Sequence, residues 1–263
     1  MWKDEGKKPI RKYLIITFGI SWSAMFLMLG VEKLQLLSAD VLKIVVMLVV
    51  ALFGAGAPGI SVYILLKSEG IIKGFKEYFN RVFEYKSRKD FWITLALVFA
   101  FSWIMHAYLG ERVKEISVLL APFLLVFMIP GGGWEELGWR GFLQPVLEEK
   151  TGFIPGTILM GIIWAVWHLP LWLLKSADQS RFLFSAFCMY CIMLSFLLGI
   201  TYAMTKSVWA VILVHAWQNV MTTLYRPKML MDSPSEIFYI IFGVVVIGSI
   251  IAHYVLISRK KNL

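Results

Sequence analysis

The stretch GGGWEELGWRGF, residues 131–142, sets two adjacent glutamates and an arginine between long apolar runs. Charge inside a membrane is costly, and an ionisable residue there is a functional-site candidate by default. Glu136 and Arg140 are spaced i,i+4 with the acid first, the favourable order for a helical ion pair. Glu135 points roughly 100° away around the helix. Arg140 is therefore predicted to hold Glu136, leaving Glu135 to face a cavity as the candidate base. Further along, His168 lies in WAVWHLP, and HAWQN at 215–219 sets His215 and Asn219 one turn apart on one face. An imidazole N–H and an amide N–H aimed at one cavity are the donors of an oxyanion site.

Depth supports a pairing of the first two groups. A hairpin turning between Thr151 and Gly152 leaves Glu135 and His168 equally far from its centre. With one rise per residue in both helices, carboxylate and imidazole reach the same level, side by side. Each feature alone has an ordinary explanation: a structural ion pair, a hydrogen-bonded packing histidine, a polar contact between helices. All of them together are harder to explain that way. His106 and His253 lack a polar partner at helical spacing that completes a site, and read as structural. Trp134, Trp139, Trp164, Trp167 and Trp172 read as packing and interface anchors. Cys188 and Cys191, a C-x-x-C inside an apolar run, read as small apolar residues without redox or metal function.

The elements that must position these residues are membrane helices. Of 263 residues, 59% are hydrophobic and 16% charged, against about 25% charged in soluble domains. Runs without Asp, Glu, Lys or Arg cover 13–31, 44–66, 91–110, 116–134, 151–174, 182–205, 207–225 and 237–258. A helical span takes roughly 20 apolar residues, so the fold expected is an all-α polytopic bundle of about eight spans. Residues 1–263 read as a single integral membrane domain. The first run is longer than a signal-peptide core, lacks a cleavage pattern, and reads as a retained helix. With the N-terminus cytoplasmic, the inside segments hold 18 of the 26 Lys and Arg residues, so both termini are placed in the cytoplasm. The net charge of +9 then calls for no nucleic acid; the partner it implies is the lipid bilayer.

Three segments have local character. In 67–90, Ile71, Ile72, Phe75, Tyr78, Phe79, Val82 and Phe83 recur at helical spacing among basic residues. That predicts an amphipathic helix, lying on the membrane surface or packed on the protein's own cytoplasmic side. In GAGAPG at 54–59, small residues four apart predict close helix packing and Pro58 a kink. Pro130 with three glycines predicts one long broken helix from 116 to about 149, or a re-entrant segment at 134–149. No internal repeat is visible, and nothing in the sequence sets an oligomeric state.

These residues resemble the CPBP intramembrane proteases, the CAAX protease and bacteriocin-processing family also called Abi. E-E-x-x-x-R is matched by Glu135, Glu136 and Arg140, with Gly141 following; H-x-x-x-N is matched by His215 and Asn219; F-x-x-x-H appears as Trp164 and His168, with Trp for Phe. The resemblance covers about 116–225, and motif order and the span layout agree. It implies an intramembrane endopeptidase that cuts a small peptide or a membrane-protein substrate. Glu135 and His168 would activate a water, Glu136 with Arg140 would hold geometry and charge, and His215 with Asn219 would stabilise the oxyanion. The family is often called metalloprotease, and Glu135, His168 and His215 are acceptable zinc ligands by type. No H-E-x-x-H is present, and a Glu/His-activated water requires no cofactor, which is the favoured expectation. Small size points to the plasma membrane of a prokaryote. Two other classes stand beside the enzyme: a non-catalytic scaffold or bacteriocin self-immunity protein, and, last, an ion-coupled transporter, for which paired broken helices would be needed.

Overall fold

All eight uncharged runs carry helix, because backbone in hydrocarbon must satisfy its polar groups within its own segment. The computed structural model describes residues 9–83, 89–231 and 234–261. Part of the basic segments used for the orientation (1–8, 84–88 and 262–263) lies outside the described residues.

Helix α1 (Ile10–Lys33) is followed by α2 (Ala39–Val49), a π-turn over Val50–Ala55, and α3 (Ala57–Ser68) with Pro58 in its first turn. Short α4 (Phe75–Val82) precedes α5 (Lys89–Leu109). After the two-residue strand β1 (Glu111–Arg112) come α6 (Ala121–Met128) and the Pro-Gly break. Beyond it lie α7 (Glu136–Gly138), a π-turn over Trp139–Leu143, and α8 (Gln144–Thr151). The chain then forms α9 (Phe153–Trp167), α10 (Phe184–Thr205) and α11 (Val208–Leu224). Strand β2 (Tyr225–Arg226) pairs antiparallel with β1, and α12 (Lys228–Met231) and α13 (Glu236–Lys261) complete the order.

The result is an all-α polytopic bundle, but the span count changes. Among the described residues six helical stretches are long and apolar enough to cross a membrane. A seventh is added if Val118–Met128 and Gly133–Thr151, bent by 40°, form one span. The eighth expected span, α11, has only 17 residues, about 25 Å of helix. It packs against α5, α6, α7 and α10, so it meets protein on most sides and need not match the bilayer by itself. Leu27, Trp92, Leu97, Ile240 and Val244 stand exposed on α1, α5 and α13, as lipid-facing side chains do.

The amphipathic helix is shorter than 71–83, and both of its expected faces exist. Ile72, Tyr78 and Val82 are buried, and the Tyr78 hydroxyl donates to the Gly59 carbonyl at 3.0 Å. Phe75 and Phe79 point outward. The small residues at 54–59 do pack closely: a Cβ on Gly59 would lie 2.9 Å from Leu137 Cδ1. The irregularity that Pro58 was expected to cause falls just before it, as the π-turn, within one helical stretch from Asp40 to Ser68. The hairpin between α8 and α9 turns at Gly152, where φ is +89°, a conformation that favours glycine.

Candidate active site

The break after α6 brings the first glutamate into the interior. Gly132 is extended there, and two backbone bonds close the break: Trp134 N–H to the Ile129 carbonyl at 3.0 Å and Glu135 N–H to the Gly132 carbonyl at 3.1 Å. From this point Glu135, Glu136 and Arg140 all project into protein and are buried.

Glu136 and Arg140 form the predicted ion pair, with Nη1 donating to Oε1 at 2.9 Å. Arg140 is fully buried and uses its whole guanidinium. Nε donates to Gln144 Oε1 at 3.1 Å, Nη2 to Ser195 Oγ at 2.9 Å, and the cation lies 4.6 Å from the centre of the Trp164 ring. Gln144 in turn donates to Glu148 at 2.8 Å, and Thr157 donates to the same carboxylate at 3.2 Å. A ladder at 136, 140, 144 and 148 thus ties the site to the α8–α9 hairpin and to α10. Gln144 and Glu148 were legible as further i,i+4 steps; Ser195, on another helix, carried no sequence signal.

His215 joins the same centre from α11. Its Nδ1 donates to Glu136 Oε1 at 2.7 Å, so that one oxygen accepts from both Arg140 and His215. Glu136 Oε2 is buried without a hydrogen-bond partner among the described residues. Asn219, half-buried one turn on, lies beside His215 over the Gly132 backbone. A Cβ on Gly132 would collide with the Asn219 amide nitrogen and sit 3.6 Å from His215 Nε2. Both nitrogens therefore face the backbone three residues before Glu135.

Glu135 departs from expectation. Its neighbours are not an open cavity but two indoles. Trp164 Nε1 donates to Oε2 at 2.7 Å and Trp139 Nε1 to the same oxygen at 3.3 Å. The two tryptophans read from sequence as packing residues are thus also hydrogen-bond donors to the carboxylate. His168 caps α9 and donates from Nδ1 to the Trp164 carbonyl at 2.8 Å, which leaves a lone pair on Nε2. No hydrogen bond among the described residues joins Glu135 to His168 directly; Trp164 stands between them, bonded to both. The ring of Trp164 also meets His215 edge-on, with centroids 5.2 Å apart.

The remaining polar candidates stay structural. His106 is buried, bonded to the Ser102 carbonyl at 2.9 Å and to the Tyr190 hydroxyl at 3.3 Å. His253 stacks on Phe153 at 3.9 Å. Cys188 and Cys191 are free thiols.

Comparison with known proteins adds to this geometry. Residues 117–221, which contain all six candidate site residues, match the family model described as Type II CAAX prenyl endopeptidase Rce1-like. The matched segment is similar to the family to which the motifs at 135–140, 164–168 and 215–219 point. A protein of Methanococcus maripaludis named CAAX prenyl protease 2 is 25% identical over 145 residues, 50% of this chain and 53% of that protein. The chain therefore spans about half the length of this curated relative.

Among the described residues no three His, Cys, Asp or Glu side chains are placed to hold one ion. As placed, Glu135, His168 and His215 do not converge on one zinc position.

Proposed function

We propose that the chain is an intramembrane endopeptidase that hydrolyses a peptide bond of a membrane-associated substrate. The observation that carries this reading is a convergence around the Pro-Gly break. A buried carboxylate, an imidazole with a lone pair on Nε2, and two nitrogens facing one stretch of backbone lie within a few residues of contact. In the proposed reaction a water donates a proton to Glu135 and attacks the scissile carbonyl carbon. His168 Nε2 accepts from that water and orients it, and the Glu135 carboxyl then passes its proton to the leaving amine as the C–N bond breaks. His215 Nε2–H and Asn219 Nδ2–H donate to the oxyanion. His215 Nδ1–H already donates to Glu136, so an Nε2–H requires the imidazolium, which the Glu136 carboxylate stabilises.

The family match and the name of the methanogen relative support a CAAX-type substrate, in which a short C-terminal tail is removed from a lipid-modified cysteine. A processed peptide precursor needs the same chemistry. The proposed setting is a prokaryotic plasma membrane with both termini cytoplasmic, which cysteine labelling of the 67–90 segment from either side tests.

The deciding experiment is a survey of peptide termini in the native host, comparing the wild-type protein with Glu135→Gln at equal expression. Loss of a defined set of cleaved termini supports the protease reading and reports the substrate. An unchanged set with the phenotype intact sinks it in favour of the scaffold or immunity protein.

A further inference from the structure

We infer that Trp164 is a positioning residue for Glu135: its indole N–H fixes the carboxylate so that one oxygen is held and the other faces the substrate. The inference rests on the proposed hydrolase reading, and it deepens that reading at the same site. Four observations converge on this one side chain. Its Nε1 lies 2.7 Å from Glu135 Oε2, the shorter of the two bonds to that oxygen. Its carbonyl takes the Nδ1–H of His168, so the same residue sets the tautomer of the second water-activating group. Its face receives the Arg140 guanidinium at 4.6 Å, and its ring lies edge-on to His215 at 5.2 Å. The residue is 3% exposed, so water does not compete for the N–H.

The donors are arranged asymmetrically. Both indoles meet Oε2, and Oε1 accepts no hydrogen bond from protein among the described residues. A carboxylate free to rotate offers either oxygen in many directions; one clamped by Oε2 presents Oε1 in a single direction, which is the orientation advantage a general base needs. An indole holds it without adding charge. A lysine or arginine in the same place would neutralise the base, and the phenylalanine of the F-x-x-x-H pattern has no donor at all. Trp164 thus gives this chain a hydrogen bond that its departure from the pattern makes possible. Trp139, at 3.3 Å and on the same segment as Glu135, is the weaker clamp.

The test replaces Trp164 with benzothienylalanine, an isostere with sulfur in place of the N–H, and separately makes Trp164→Phe. Both are assayed as full-length protein in lipid vesicles on the peptide found by the terminus survey. The expected result for the isostere is a kcat lower by about tenfold with KM within about twofold, since one hydrogen bond to a charged group is lost and the ring shape is kept. A kcat within twofold of wild type, or a change in KM alone, overturns the inference. A second readout does not depend on activity. The Trp164 indole ¹⁵N–¹H resonance, assigned by its loss in Trp164→Phe, should move in Glu135→Gln. A resonance that stays in place overturns the hydrogen bond itself, whereas a shifted resonance in a protein without cleavage activity refutes the hydrolase reading and keeps the contact.

Discussion

Adjacent in the chain, Glu135 accepts from two neutral indoles while Glu136 sits between a guanidinium and an imidazole. The difference separates two tasks. A carboxylate gripped by a guanidinium and an imidazole holds those partners in place. One held by uncharged donors is oriented with no formal charge hydrogen-bonded to it. The ionic half of the site reaches outward through Gln144, Glu148 and Ser195 into α8, α9 and α10. The neutral half ends on tryptophan rings. The proposed mechanism assigns structure to the first half and chemistry to the second.

The sharpest way to break this division is Glu135→Gln. It should lower kcat about a thousandfold, the scale of general base catalysis, and leave the thermal midpoint within a few degrees. A large loss of thermal stability with residual activity would reverse the assignment. Arg140→Met should do the opposite and act first on folding. It strands the buried Glu136 charge and should cost about 3 kcal/mol or more, read as a lower midpoint in detergent and a lower membrane yield. Gly132→Ala should sharpen the comparison at the oxyanion side. Its methyl group would displace the Asn219 amide, and a misplacement of that size should lower kcat by about tenfold to a hundredfold with a small change in KM.

The smallest effect belongs to a third glutamate, outside the spans. Glu77 accepts from the Lys73 backbone N–H at 2.9 Å and from Arg81 at 2.7 Å. These bonds, the Lys73 N–H foremost, hold its carboxyl below the usual glutamate range. With the folded value lowered, the contribution is present above the ordinary glutamate value and is lost as pH falls through the folded one. Being exposed to water, it should be slight. Glu77→Gln should reduce hydrogen-exchange protection of α4 at neutral pH by less than about tenfold and leave the core helices unchanged. A global loss of protection would mean that α4 supports the bundle more than its exposure indicates.

Much of the site was legible because the relevant spacing is local. The ion pair at 136 and 140, the histidine and asparagine one turn apart, and the turn at Gly152 all follow from helical periodicity. What was not legible joins distant elements. The bond from His215 to Glu136 crosses 79 positions, and that from Trp164 to Glu135 crosses 29. Tryptophan is ambiguous in sequence: the same residue fills volume and donates a proton, and only its surroundings show which matters. The step from Glu135 to Trp139 is i,i+4 and was available, but an indole in an apolar run reads first as packing. The side-by-side placement of Glu135 and His168 missed the Trp164 ring between them. The eight-span layout survives as eight helical runs, while α11 is too short to qualify by length because its neighbours enclose it.

The ring of Tyr13, on α1, lies against Trp139 and Phe142 at 5.9 and 5.0 Å, and α3 meets Gly138 so closely that a Cβ there would stand 2.5 Å from the Pro58 carbonyl carbon. Both helices precede residue 117, where the family match begins. The recognisable core is therefore not a transferable module. Grafted into a relative's frame, residues 117–221 would lose the two walls that fit Gly138 and Trp139, and a working chimera must carry α1 and α3 along with the motifs.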